Sequence, residues 1–277
     1  MKLIALLSAF LLITSSLIAN ETLDNKILDF EKKRFSKNER VKINSLKVNT
    51  KKAMPQKGWY GYIIDVDANV GGKDINAKDI VFSNGQLVSS ELFDLESGES
   101  LKDLMPPKLT NEYYDEKKLI AGNHKAKDKI VVFSDPLCPF CMDYVPDVIN
   151  YVKKHEDIAL YYYHFPLLNI HPASAPLTAL MVVAKEDKIK DIESKVYEVN
   201  WEEYFQENER DPNKIIKAFN KEFKTTYKLD SIKEDYVQKE LSFDINMGNK
   251  VMVQGTPTIF INGEVDKSKI KYETLGK

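Results

Sequence analysis

Cys138 and Cys141 are the two cysteines of a 277-residue chain, and they stand two residues apart in Asp135-Pro136-Leu137-Cys138-Pro139-Phe140-Cys141. Two thiols at that spacing can interconvert with a disulfide. A bridge across so short a loop adds little entropic stability to a fold, so the pair points to redox chemistry and not to a structural staple. The other use of paired cysteines, half of a zinc site, needs further ligands. There is no third cysteine, and His124 is the nearest histidine outside the adjoining strand and helix. We therefore expect no metal, and no cofactor beyond the redox-active pair itself.

The neighbouring residues predict how the thiols are held. Val131-Val132-Phe133 is an apolar run of the kind that fills a buried strand, and Asp135-Pro136 ends it. Cys138 then opens a helix, with Pro139 at the first helical position, where a missing N–H costs nothing. A cysteine placed there feels the positive end of the helix dipole and unpaired backbone N–H groups, so its thiolate is stabilised. Cys141 sits one turn deeper and can close back onto it. The helix should run to about His155, with Val145, Val148, Ile149 and Val152 on its buried face and Pro146 predicting a kink. Ile158 to Phe165 reads as a second strand, parallel to the first through this crossover helix. Residues 172–250 form a helical block, broken at Asp211-Pro212. The sheet resumes at Thr258–Ile261, followed by a tight Asn262-Gly263 turn.

The chain is 43% hydrophobic and 30% charged, with 40 basic and 42 acidic residues interleaved along its length. That pattern is a solvated surface, not a nucleic-acid patch. Met1-Lys2 followed by an apolar stretch to Ile18 and Ala19 has the form of a secretory signal peptide over residues 1–19, an uncleaved anchor being the alternative. Between residues 20 and 96 a short amphipathic helix with Leu23, Ile27, Leu28 and Phe30 precedes a strand meander. Its hairpins fall at Val70-Gly71-Gly72-Lys73 and Asn84-Gly85. So small a unit needs an edge partner or a covering helix; pairing with a second copy is the economical solution, and an intramolecular cover is the other. Residues 97–128, with Pro106-Pro107 and a charged run from Asn111, have the composition of a linker. The catalytic domain is then expected over 129–277.

From residue 129 onward, the order β-α-β, helical block, Gly-Thr-Pro-Thr and hairpin, with Cys-x-x-Cys opening the first helix, resembles the thioredoxin fold. In that family the proline equivalent to Pro257 is cis and lies against the cysteines. Its neighbour, here Thr256, offers its backbone to an extended substrate. The closer resemblance is to the dimeric periplasmic thiol:disulfide interchange proteins of the DsbG and DsbC type, carried by Val132 through Cys141, by Thr256-Pro257 and by the turn Phe93–Leu101. It implies an α/β thioredoxin-like domain with a helical insertion, preceded by a small α+β, cystatin-like dimerisation domain. It implies as substrates unfolded or misoxidised exported proteins, and as redox partner an inner-membrane protein of the DsbB or DsbD type. Two positions depart from the thioredoxin and DsbA patterns. Val132 stands where those proteins place a buried acid, and Phe140 stands where DsbA proteins carry a histidine, so Cys138 should be less acidic than theirs.

The residues thus predict a periplasmic thiol:disulfide oxidoreductase, isomerase or oxidase, with Cys138 and Cys141 catalytic, Thr256 and Pro257 against substrate, and Pro139 and Phe140 completing the motif. A holdase chaperone and an apocytochrome thiol reductase are the alternatives. His164, His171 and the cluster Trp59, Tyr60 and Tyr62 read more simply as core or interface than as site residues.

Overall fold

A computed structural model describes residues 23–276, which divide into two units at Pro106/Pro107. The signal-peptide segment lies outside the described residues.

In the first unit, α1 (residues 23–35) precedes an antiparallel meander of β1 (Val41–Ala53), β2 (Tyr60–Val70), β3 (Lys73–Ser83) and β4 (Val88–Ser89), in spatial order β1-β2-β3-β4. Gly71 and Gly72 both take positive φ at the β2–β3 turn, the conformation that a two-residue hairpin demands. Alternation along β2 sends Tyr62, Ile64, Val66 and Ala68 to one face, where Ile27 of α1 packs on them. An intramolecular helix therefore covers that face. Arg34 of α1 bonds both Glu31 and Asp79 of β3, fixing the helix on the sheet. At the far end, Gly61 leaves room for Met105, whose sulfur would lie 2.3 Å from any Cβ at that position.

The second unit is built on a five-stranded sheet of β5 (Leu119–Gly122), β6 (Asp128–Ser134), β7 (Ile158–His164), β8 (Thr258–Ile261) and β9 (Glu264–Val265), ordered β5-β7-β6-β8-β9. β6 and β7 are parallel across α2 (Pro139–Val152); the other pairings are antiparallel. The helix runs unbroken through Pro146. Helices α3 (Ser174–Glu186), α4 (Ile192–Lys195), α5 (Pro212–Phe223) and α6 (Asp235–Lys250) make up the insertion. Asp211-Pro212 is the start of α5: Asp211 accepts from the Asn213 N–H, and Pro212 takes the first helical position. One core layer joins α2, α3 and α5 to the face of β6 bearing Ile130 and Val132. The other packs Val131, Phe133, Tyr161 and Tyr163 against Met247 and Tyr113.

The predicted linker needs correction. Residues 107–128 belong to the second unit, and Leu119–Gly122 is a strand paired with β7. Within the charged run from Asn111 the chain forms the short turns Asn111–Tyr113 and Glu116–Lys118 ahead of that strand. The reason is tertiary. Tyr113 is buried and donates to the Met247 carbonyl, and Tyr163 donates to the Tyr113 carbonyl. Lys118 is drawn inside by Asp244 and Glu240. A buried lysine needs such partners.

Candidate active site

β6 ends at Ser134, and the next residues turn sharply into α2. Asp135 makes that turn. Its carboxylate is wholly buried and accepts from the backbone N–H of Leu137 (2.8 Å), the N–H of Leu167 (2.7 Å), His171 Nδ1 (3.0 Å) and the Ser174 hydroxyl. One side chain thus ties the cysteine turn to the loop after β7 and to the start of α3. The bond to Leu137 is a local turn contact of the kind Asp135-Pro136 signals, whereas the longer reach to His171 and Ser174 has no signal in the spacing. His171 Nε2 also faces Glu207 at 3.5 Å.

Cys138 is the N-cap of α2 in extended conformation, and Pro139 takes the first helical position as expected. Its Sγ lies 3.3 Å from the Thr256 carbonyl, so the cysteine turn and the loop before β8 meet although 118 residues separate them. The Thr256–Pro257 peptide is cis. Thr256 Oγ1 is buried and has no partner when the thiol donates to the carbonyl; it is a donor available to the thiolate. Phe140 is 72% exposed, at the surface of the motif. The structure therefore brings Cys138, Cys141, Thr256 and Pro257 into one site, with Pro139 and Phe140 on its rim.

The two thiols lie in different environments. Hydrogen bonding from the Cys141 thiol, then from Thr256 and the backbone N–H groups of Cys141 and Phe140, draws the Cys138 thiol well below the usual range against the opposing effect of burial. These causes are hydrogen bonds, not a cationic side chain. Burial pushes the Cys141 thiol up, and its bond to Cys138 adds to this. Cys138 is thus poised as thiolate and Cys141 as the proton-bearing partner.

His164 is buried at the end of β7, edge-on to Tyr162, and burial holds it neutral. Its backbone N–H donates to Asp244, while Nδ1 has no partner. Trp59, Tyr60 and Tyr62 lie in the first unit, Tyr62 in its core. Among the described residues, no three His, Cys, Asp or Glu side chains gather as metal ligands. The redox group is the protein's own cysteine pair.

The family model described as thioredoxin matches residues 115–277. No curated protein matches the chain. Among solved structures it is similar to ScsC of Proteus mirabilis in a transitional conformation, at 22% identity over 60% of this chain and 72% of that one, with a TM-score of 0.45. It is similar also to oxidised BdbD of Bacillus subtilis, at 20% identity over 61% and 91% of the two chains and a TM-score of 0.46. A periplasmic thioredoxin-like protein from Salmonella enterica serovar Typhimurium matches at 21% identity over 60% and 90%, with a TM-score of 0.45.

Proposed function

The chain belongs to the thioredoxin family, and from that premise we propose that it is a thiol:disulfide oxidoreductase of the periplasm, acting on unfolded or misoxidised exported proteins in the manner of the DsbG and DsbC type. The observation that carries this reading is the geometry of the pair: Cys138 caps the start of α2 with its Sγ 3.3 Å from the Thr256 carbonyl before cis Pro257, and Cys141 lies wholly buried behind it. In the isomerising or reducing direction, the Cys138 thiolate attacks a substrate disulfide and Cys141 resolves the mixed disulfide. In the oxidising direction, a substrate thiolate attacks Cys138 of the Cys138–Cys141 disulfide, and a second substrate thiol resolves the mixed disulfide. Thr256 and Pro257 form the wall along which an extended substrate lies beside Cys138.

The remainder of the assignment extends this reading. The apolar stretch within residues 1–19 supports export. The long edge strand β1, paired only with β2 among the described residues, supports homodimerisation through the first unit. A dimer favours isomerase or reductase work, with a membrane redox partner of the DsbD type; DsbB is the counterpart for an oxidase. The reduction potential of the Cys138–Cys141 pair tests the direction. A value near about −120 mV, as in DsbA, overturns the isomerase reading, and one near about −270 mV, as in thioredoxin, excludes an oxidase.

Exposed Leu87, Phe93 and Leu95 in the first unit favour a second reading, a holdase that grips unfolded chains. The double variant Cys138→Ser/Cys141→Ser separates the two. Refolding of a scrambled disulfide substrate disappears under the first reading, and suppression of aggregation persists under the second.

A further inference from the structure

Behind Cys141 lies a group of hydroxyls that the exchange reaction as written leaves unused. Ser134 Oγ is 2.7 Å from Tyr197 OH, and Tyr197 OH is 2.7 Å from Tyr162 OH. They come from β6, the turn Val196–Glu198 after α4, and β7, and all three side chains are buried. Cys141 packs in one core layer with Tyr162 and Tyr197, and Ser134 and the backbone N–H of Asp135 both favour its ionised form. Both tyrosine hydroxyls are near enough to feel its charge.

Among the described residues no carboxylate is hydrogen-bonded to this sulfur. Val132 lies in the same apolar layer as Cys141 and offers no polar atom. Asp135 has both oxygens engaged by Leu137, Leu167, His171 and Ser174. His164, against the Tyr162 ring, is held neutral by burial. Yet resolution of a mixed disulfide requires Cys141 to attack as thiolate. A buried anion without donors is costly, so the donors present decide how readily it forms.

We propose that Tyr162, Tyr197 and Ser134 form a chain of hydroxyls, each donating to the next, that ends on Cys141 Sγ and stabilises its thiolate during resolution. In this chain Ser134 is the hydroxyl that meets the reacting sulfur, and the tyrosines, held to it through Tyr197, are positioning residues that fix and polarise the Ser134 hydroxyl. Burial raises both tyrosines well above their ordinary value, so they remain protonated donors and not bases. In the step itself Cys141 releases its proton to solvent, and its thiolate attacks Cys138 Sγ of the mixed disulfide. The Cys138–Cys141 bond forms, the bond from Cys138 to the substrate sulfur breaks, and the substrate leaves as thiolate. The substrate disulfide gains two electrons, and the cysteine pair loses two.

The inference rests on the thiol:disulfide reading, and one experiment distinguishes their failures. Reduced full-length protein is mixed with a thionitrobenzoate disulfide under stopped flow. Attack by Cys138 releases one coloured thiolate and resolution by Cys141 a second, each followed against pH. Ser134→Ala should slow the second phase at neutral pH about tenfold and raise its pH midpoint by about one unit, the scale of a hydrogen bond to a charged group. The first phase should be unchanged. Tyr197→Phe, which leaves the strand untouched, should move the second phase the same way by about threefold, and the double variant should be no slower than Ser134→Ala, because the residues act through one chain. Second-phase midpoints unmoved in Tyr197→Phe overturn the inference, as does a first phase shifted equally. A parent protein that releases no thionitrobenzoate overturns the exchange reading, and this inference with it.

Discussion

The mouth and the floor of the cysteine site are one helical turn apart and carry the same side chain, yet the fold treats them oppositely. At the mouth, Cys138 meets backbone N–H groups of α2, the Cys141 thiol and Thr256, all of which favour its charge. At the floor, Cys141 is enclosed by the apolar layer of α2, β6 and α3, and burial dominates. The lesson is that three residues of sequence separation suffice to split an attacking thiolate from a resolving thiol, because burial dominates at Cys141 and hydrogen bonding dominates at Cys138. At the mouth the Cys141 thiol, Thr256 and backbone N–H groups together outweigh burial, and at the floor Ser134 and the Asp135 N–H do not.

The largest test of this contrast removes each sulfur. Cys138→Ser should abolish exchange altogether, whereas Cys141→Ser should retain attack and accumulate a mixed disulfide on Cys138, visible by mass spectrometry of the intact protein. Equal loss in both variants, with no trapped adduct, would erase the division of labour. Next in size is Asp135→Asn, which takes the charged acceptor from behind the mouth and leaves four donors facing a neutral amide. We expect a loss of about 3 kcal/mol in urea unfolding, since hydrogen bonds to a charged group contribute about 1.5–3 kcal/mol. A change within about 0.5 kcal/mol would mean that the His171 and Ser174 contacts hold nothing.

The pH dependence sharpens the same contrast. The Cys138 thiolate fraction, read by alkylation rate, should fall as pH drops through a midpoint below the ordinary thiol range. Cys141→Ser should change that midpoint, because the Cys141 thiol is the largest cause of the shift. The sign for stability follows from linkage. A pKa lowered on folding gives the reduced protein stability that is fully present above the unfolded thiol value and is lost as pH falls through the folded value. Comparing reduced wild type with Cys138→Ser in unfolding across pH 4 to 9 measures it; parallel curves would contradict the lowered thiol. The smallest effect is expected at Phe140→Ala on the exposed rim. Stability should stay within about 0.5 kcal/mol, with any change confined to the KM for a peptide disulfide.

Local chemistry made much of the site legible. Val131 to Phe133, Asp135-Pro136 and Pro139 specify strand, turn and helix start through apolar burial and backbone restriction, which act over a few residues. The resemblance added Thr256-Pro257, a distant pair that spacing alone does not bring to Cys138. The charged stretch from Asn111 to Lys129 misled for the opposite reason. Its polarity reads as solvent exposure, while Lys118 is buried against Asp244 and Tyr113 lies under the sheet.

By itself, then, the sequence determined a Cys-x-x-Cys pair at a helix start, its redox character and the elements flanking it, because those depend on neighbours in the chain. Only the tertiary structure decided what surrounds each sulfur: Thr256 at Cys138, and Ser134 with Tyr197 and Tyr162 behind Cys141. Those partners lie on separate strands and turns. Hydrogen bonds between them exist only once the core has brought the elements within 3 or 4 Å of one another.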